Sequence, residues 1–400
     1  MKQFINARLV LPDRVLSEGT LRFNDDKIDA LGSKSDLSFN PSIETIDLEG
    51  KYLFPGFVEA HVHGGLGADF MDLTPEAFRT VCRCHARHGT TTMTPTSTVG
   101  SPEQILEFLK LTRQIMNEPQ TGSRVVGAHL YGPYFALEAV GCHPKNVRAP
   151  LPSDYIPVLE YTDAIRTATV APELPSAEVF TRECLQRGIR MNAGHSFATF
   201  EQMEEAVRWG IRHVDHLFCA MSDRGKLRAL QNFPNRGGVM EATLYFDELT
   251  TEVIADGKHL SDALLRLAYK IKGPNRLALV TDSNRAVDMP DGEYLFGPPD
   301  AQIRTLKKEG VGLTLDGKNL ASSVVGLDHC FRTMLTATQA PLHDVARCVT
   351  LTPARILGLE EECGSLIAGK RADFVVMDDA MQVQDVWIGG KKIDAGISRV

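Results

Sequence analysis

Five residues could do chemistry together: His61, His63, His195, His216 and Asp282, each placed where an extended apolar run ends. In Phe57-Val58-Glu59-Ala60-His61-Val62-His63 the two histidines stand two apart in a strand-like run, so both side chains leave the same face of the pleat. Imidazole nitrogens at that spacing suit chelation of a divalent cation. A single His-x-His pair says little, because two polar residues on an exposed strand face look the same. The pattern then recurs in Met191-Asn192-Ala193-Gly194-His195, His213-Val214-Asp215-His216 and Leu277-Ala278-Leu279-Val280-Thr281-Asp282. His213, early in its strand, reads as a packed or surface histidine and not as a ligand. A cation held there would lower the pKa of bound water towards about 7 and polarise a substrate oxygen. Asp282 could accept the proton of the attacking water and pass it to the leaving group; the plainer reading makes it a capping aspartate before Ser283.

The elements that must position these residues alternate between strand and helix, which argues for parallel strands with covering helices. Extended runs fall near 57–63, 90–96, 125–131, 165–171, 190–195, 212–217, 252–256 and 277–282. That is the number a (β/α)8 TIM barrel requires, and it sets every candidate ligand on the carboxyl rim where such barrels keep their active sites. Between the strands, Thr74-Pro75 opens a helix that Gly89 closes, and Ser101-Pro102-Glu103-Gln104 opens another with a capping box. Thr199-Phe200-Glu201-Gln202 repeats the device up to Gly210, and Ser261 to Gly273 brackets a further helix. Both chain ends carry short alternating stretches, such as Phe4 to Val10 and Val383 to Ile388, and should build one small β-sandwich together. The expected division is 1–54 and 363–400 for that β-domain and 55–362 for the barrel, an α/β fold overall.

A chain of 400 residues with 43% hydrophobic content can bury a large core. Its net charge of -8 and pI near 5.9 provide no basic surface for nucleic acid or anionic lipid. No apolar run approaches the roughly 20 residues needed to cross a bilayer. A soluble, cytoplasmic protein with no nucleic-acid or membrane partner is expected. The eight cysteines are scattered, with Cys82 and Cys84 close together inside a helical pattern and no second pair, so they read as reduced thiols.

The chain resembles the amidohydrolase superfamily and, more narrowly, the N-acetylglucosamine-6-phosphate deacetylase family. The matching pieces are Pro55-Gly56 through His61-Val62-His63-Gly64-Gly65, Gly194-His195, His216-Leu217-Phe218-Cys219-Ala220-Met221, Ala255-Asp256-Gly257-Lys258-His259, Thr281-Asp282-Ser283, and Gly364 through Gly369-Lys370-Arg371-Ala372-Asp373. The likeness spans nearly the whole chain, and the combination of His-Leu-x-x-Ala-Met with Ala-Asp-Gly-x-His is its most specific part. It implies deacetylation of an N-acetylated amino sugar phosphate, a divalent metal and a homodimer. His143 matches a loop position that reaches substrate, His259 a phosphate-contacting one, and Cys219 and Ala220 a pair near the substrate phosphate. Two departures stand out. Where the family has His-Leu-Glu-Gly-Pro and uses the glutamate as a metal ligand, this chain has His129-Leu130-Tyr131-Gly132-Pro133; Cys219 stands where asparagine is common. Glu138 could replace the missing carboxylate only if its loop folds back. Arg224, Arg228 and Arg236 follow in a stretch that matches the family poorly, and Arg228 is taken forward as a phosphate contact.

The residues therefore favour one cation, Zn²⁺ with Fe²⁺ or Co²⁺ as alternatives, held by His61, His63, His195 and Asp282. His216 would be a fifth ligand or an acid behind them, and Tyr131 a neutral donor to the reacting carbonyl. A second cation on His195 and His216, with Tyr131 as phenolate, is the other arrangement. Three functions remain open: the amino sugar phosphate deacetylase, a related hydrolase of another amide, cyclic amide or aminated ring, and a non-catalytic binding barrel.

Overall fold

The extended runs form buried strands and the capped segments form helices. A computed structural model describes residues 1–119, 121–230 and 234–394. Eight parallel strands follow one another round a barrel: Phe57–Val62, Thr90–Pro95, Ala128–Leu130, Ile165–Val170, Arg190–Ala193, His213–Val214, Thr250–Ile254 and Leu277–Val280. Each pairs with its sequence neighbour, and a parallel bridge from Thr96 to His129 joins the second to the third. Closure comes from Asp282 N donating to His61 O at 2.9 Å and Thr281 N donating to the Glu59 carboxyl at 3.3 Å. The third strand is broken where an unbroken run was expected: Arg124–Val125 pairs with the second strand, Ala128–Leu130 with the fourth, and Gly127 between them sits at φ 124. That left-handed turn is open to glycine without steric cost.

The caps form where the sequence places them. Thr74 accepts from Ala77 N ahead of the helix Pro75–Arg87, and capping boxes at Ser101/Gln104 and Thr199/Gln202 open Pro102–Met116 and Phe200–Trp209. Each such cap stabilises its helix by about 1 kcal/mol. Gly210 closes the last of these at φ 113, and Asp262–Lys272 runs between Ser261 and Gly273.

The two chain ends meet in one eight-stranded sheet. Lys2–Val10 is its bent spine: it pairs along one edge with Val15–Asn24, and along the other with Glu44–Asp47 at its start and Tyr52–Pro55 at its end. Hydrogen bonding therefore runs without a break through both layers of the small domain. Phe374–Met377 adds to Tyr52–Pro55, and the rings of Phe4, Phe23, Phe374 and Trp387 fill the core at centroid separations of 5.1–5.8 Å. A second antiparallel sheet, Gly292–Phe296, Ile303–Lys308 and Val311–Thr314, follows the eighth barrel strand. The eight cysteines are all unpaired, and no helix among the described residues is long and apolar enough to cross a membrane.

Candidate metal centre

His61 is fixed from behind. Its Nδ1 lies 2.6 Å from Glu252 Oε1, so the ring donates there and presents the Nε2 lone pair to the barrel mouth. His61 Nε2 is 3.5 Å and His63 Nε2 3.2 Å from Asp282 Oδ1, and one atom from each of the three lies within 4.8 Å of the others. His61 Nε2 and both ring nitrogens of His63 are buried yet complete no hydrogen bond among the described residues. Buried polar atoms are rarely left so. Nitrogen and carboxylate donors converging with unsatisfied lone pairs fit a divalent cation. Electrostatics agree: burial opposes charge on His61, but Glu252, Asp282 and Asp215 outweigh it and raise its pKa to about 10. A positive charge belongs in this cluster. Burial likewise works against the Asp282 carboxylate, and His61 and His63 overturn that, holding it well below the usual range.

His195 and His216 form an adjoining pair. His195 Nδ1 donates to Ala139 O at 2.6 Å, leaving Nε2 as an acceptor 3.2 Å from His216 Nε2. Burial lowers the pKa of both rings, so they are neutral. Tyr131, fully buried, places its hydroxyl 2.6 Å from His216 Nε2 and donates to it. Burial and the nearby Asp282, Asp215 and Glu252 push that phenol well above its ordinary value, which keeps it a protonated donor to His216. Glu138 is exposed on a single turn, Leu137–Ala139, and does not fold back to replace the absent carboxylate.

His195, His216 and Asp282 share a further feature: their φ angles are 45, 24 and 45°, in the left-handed region that costs a non-glycine residue roughly 1–3 kcal/mol. Such strain collects where function needs a particular aim. Gly194 makes the approach to His195 feasible, because a Cβ there would lie 2.3 Å from Asp215 Oδ2.

Other expected site residues divide. His143 joins the cluster, buried, hydrogen-bonded to Thr98 Oγ1, and with its ring 5.9 Å from His63 and 4.8 Å from His195. His259 is backed by Asp256, whose Oδ2 takes Nδ1 at 2.8 Å while Oδ1 takes two backbone N–H groups, leaving Nε2 to meet a ligand. Cys219 and Ala220 are half-buried just beyond the sixth strand, Ala220 at φ 47. Arg228 is exposed, and its guanidinium donates to Asn235 at 2.5 Å. Lys226, two residues before it in Arg224–Leu230, acts electrostatically on the Cys219 thiol and donates to Met221 O at 2.6 Å.

Sequence reasoning missed the layer beneath the ligands. Glu252 bridges His61 to His213, whose Nε2 lies 3.2 Å from the second carboxylate oxygen, and those two rings hold the acid well below its usual range despite burial. His213 is thus the packed histidine expected of it. Asp215 accepts from Thr169 at 2.6 Å and Asn192 at 2.9 Å, and His129 Nε2 sits 2.8 Å from Thr169 Oγ1. Burial raises Glu59 to about 8. Phe296, from the unforeseen sheet, lies 5.3 Å from both the His63 and His143 rings. The alternation Glu293-Tyr294-Leu295-Phe296 before Gly297-Pro298-Pro299 was the available signal.

A rim of histidines and an aspartate able to hold a metal, on a (β/α)8 barrel with a two-ended β-domain, defines a class of fold, and comparison with known proteins gives the family. Residues 52–393 match the amidohydrolase family model, and the chain belongs to that family, whose members are metal-dependent. It is 32% identical over 366 residues to the N-acetylglucosamine-6-phosphate deacetylase of Caenorhabditis elegans, covering 87% of this chain and 84% of that one. It is 31% identical over 353 residues to the N-acetylgalactosamine-6-phosphate deacetylase of Escherichia coli O157:H7, with 87% and 89% covered. Among solved structures, an Asp-to-Ala mutant of the Mycobacterium smegmatis N-acetyl-D-glucosamine-6-phosphate deacetylase, in complex with N-acetyl-D-glucosamine-6-phosphate, superposes with a TM-score of 0.87 at 28% identity, covering 98% of this chain and 99% of that one.

Proposed function

We propose that this chain is a metal-dependent deacetylase of an N-acetylated hexosamine 6-phosphate, with N-acetylglucosamine 6-phosphate as the first substrate to test, releasing acetate and the free amine. The observation that carries it is the convergence of His61, His63 and Asp282 with unsatisfied buried nitrogens. His61, His63, His195 and Asp282 would hold one divalent cation, Zn²⁺ before Fe²⁺ or Co²⁺, since imidazole and carboxylate donors suit it. When bound it supplies Lewis acidity and a more acidic water. Asp282, ionised and 13% exposed, takes the proton of the attacking water and returns it to the amine as the C–N bond breaks, so hydroxide ends on acetate and the proton on nitrogen. His143 and Phe296 wall the acetamide side.

His259, Cys219, Ala220 and Arg228 are assigned to the sugar phosphate, with His259 Nε2 as the principal donor. His216 stands behind the cation as a fifth ligand or an acid. Tyr131 fixes His216 in the resting site and can donate to the reacting carbonyl only by leaving that partner. The family resemblance extends the proposal to a cytoplasmic homodimer, which light scattering on the purified protein checks. The decisive experiment measures acetate release from N-acetylglucosamine 6-phosphate, its galacto epimer and unphosphorylated N-acetylglucosamine. Turnover of a phosphorylated sugar is expected; no acetate from any of them, after loading with Zn²⁺, Fe²⁺ or Co²⁺ in turn, overturns the reading.

A further inference from the structure

On the opposite face of the barrel, at the amino-terminal ends of the fifth to eighth strands, lies a cleft of about 310 Å³. Arg190, Arg212 and Arg355 line it, all exposed, against one carboxylate, Glu248. In a chain of net charge -8 this is a local reversal of sign. The Arg190 guanidinium has no hydrogen-bond or ion-pair partner among the described residues, whereas Arg212 already donates to Val207 O at 2.7 Å and Ile211 O at 2.8 Å through one nitrogen and has its other N–H groups to offer. The Arg190 guanidinium lies across Gly358, where a Cβ would come within 2.3 Å of it. Arg355 reaches Asn275 Oδ1 at 3.4 Å, which leaves the Asn275 amide N–H groups unspent. Guanidinium groups are the usual means of holding phosphate or carboxylate.

The lining holds a second, independent feature. Asn192 is 3% exposed, and its Nδ2 donates to Asp215 at 2.9 Å, which leaves Oδ1 buried with no donor. An orphaned buried acceptor costs about 1–3 kcal/mol unless something donates to it. Asn192 lines the cleft, so a ligand hydroxyl seated deeply enough to displace the cover over Oδ1 would supply that donor. The cleft's volume is at the low end of the roughly 300–1,000 Å³ of ligand sites, with apolar sides from Leu185, Met191 and Ile356. That suits a monosaccharide phosphate and is too small for a dinucleotide.

We propose that this cleft is a second binding site, for a small hydroxylated anion of sugar-phosphate type, gripped by Arg190, Arg212 and Arg355 with a ligand hydroxyl donating to Asn192 Oδ1. It is separate from the histidine cluster and independent of the deacetylase assignment. The test is calorimetric titration of the metal-loaded protein with ribose 5-phosphate, inorganic phosphate and ribose. Ribose 5-phosphate should bind more tightly than either fragment, persist in His259→Ala, and weaken at least tenfold in Arg190→Ala and Arg355→Ala. Both arginine variants alter exposed side chains and should keep wild-type acetate release from N-acetylglucosamine 6-phosphate. Wild-type affinity in both arginine variants, or loss of binding only in His259→Ala, overturns the site; inorganic phosphate binding as tightly as ribose 5-phosphate overturns the hydroxyl contact.

Discussion

Glu252→Gln tests whether the buried carboxylate behind His61 sets the metal affinity. The amide is nearly isosteric and keeps an acceptor for His61 Nδ1, while His213 can meet the new N–H₂ by moving its own proton to the side of Thr250, 2.8 Å from its Nδ1. Geometry should survive and charge should not. Of the groups that lift His61 from 6.5 to about 10 against burial, Glu252 is the foremost, ahead of Asp282 and Asp215. What raises proton affinity at a ring nitrogen raises cation affinity also, and losing such an outer partner typically weakens metal binding 10- to 100-fold. Because Glu252 also anchors His213 and the His216 backbone N–H at 3.3 Å, the upper end is expected, about 100-fold or roughly 2.7 kcal/mol. The assay is Zn²⁺ competition against a chromophoric chelator, alongside turnover at saturating Zn²⁺. Activity should return to within a few-fold of wild type once the metal is saturating. Unchanged Zn²⁺ affinity in a folded Glu252→Gln protein would refute the reasoning.

Asp282→Asn should retain the fold and abolish turnover through kcat more than KM, since the amide cannot take a proton; near wild-type kcat would mean another base. His259→Ala should raise KM for the phosphorylated sugar about 10- to 150-fold, the cost of one charge-assisted contact, and leave an unphosphorylated analogue almost unaffected. If the neutral phenol serves as a donor to His216, as its hydrogen bond suggests, Tyr131→Phe should keep its full metal content, and loss of metal would make it a ligand; a kcat loss of about 10²–10³ would place its hydroxyl on the reacting carbonyl, as an oxyanion donor, and a loss below tenfold would confine it to positioning His216. Away from the site, Asp328 at 2.9 Å and Asp288 at 3.2 Å outweigh burial and lift His88 to about 10. Its folded pKa is above the unfolded value near 6.5, so its stabilisation is complete below about pH 6.5 and lost as pH rises through about 10. Urea unfolding should show the gap between wild type and His88→Gln shrinking over that range, and a constant gap would exclude the linkage.

The clustered histidines were legible because strand ends mark themselves twice, by the end of an apolar run and by side chains that must share a face. The helix caps were legible for a similar reason, since Thr199 and Gln202 act within one turn of chain. What stayed hidden depends on contacts between distant strands. Glu252 opens the run 252–256 and Asp215 sits inside the run 212–217, where neither carries a local mark of its partner, and only the closed barrel turns them inward onto His61 and Thr169. The Tyr131–His216 bond joins the third strand to the sixth, so no local pattern announces it. Phe296 escaped because its sheet is half-exposed and its alternation competes with ordinary loop sequence.

The joining of the two chain ends also sets an order of events during synthesis. Tyr52–Pro55 runs directly into the strand bearing His61 and His63, yet its free edge is completed only by Phe374–Met377, with Gly56 N bonded to Asp373 O at 2.9 Å. While the ribosome is still making the barrel, that edge stays open, and its Leu53 and Phe54, both fully buried in the finished protein, lie uncovered. Open apolar edges recruit other chains. A chain released before residue 374 would carry every residue of the proposed site and still fail to accumulate in soluble form, because the strand that leads into the site is paired only near the end of synthesis.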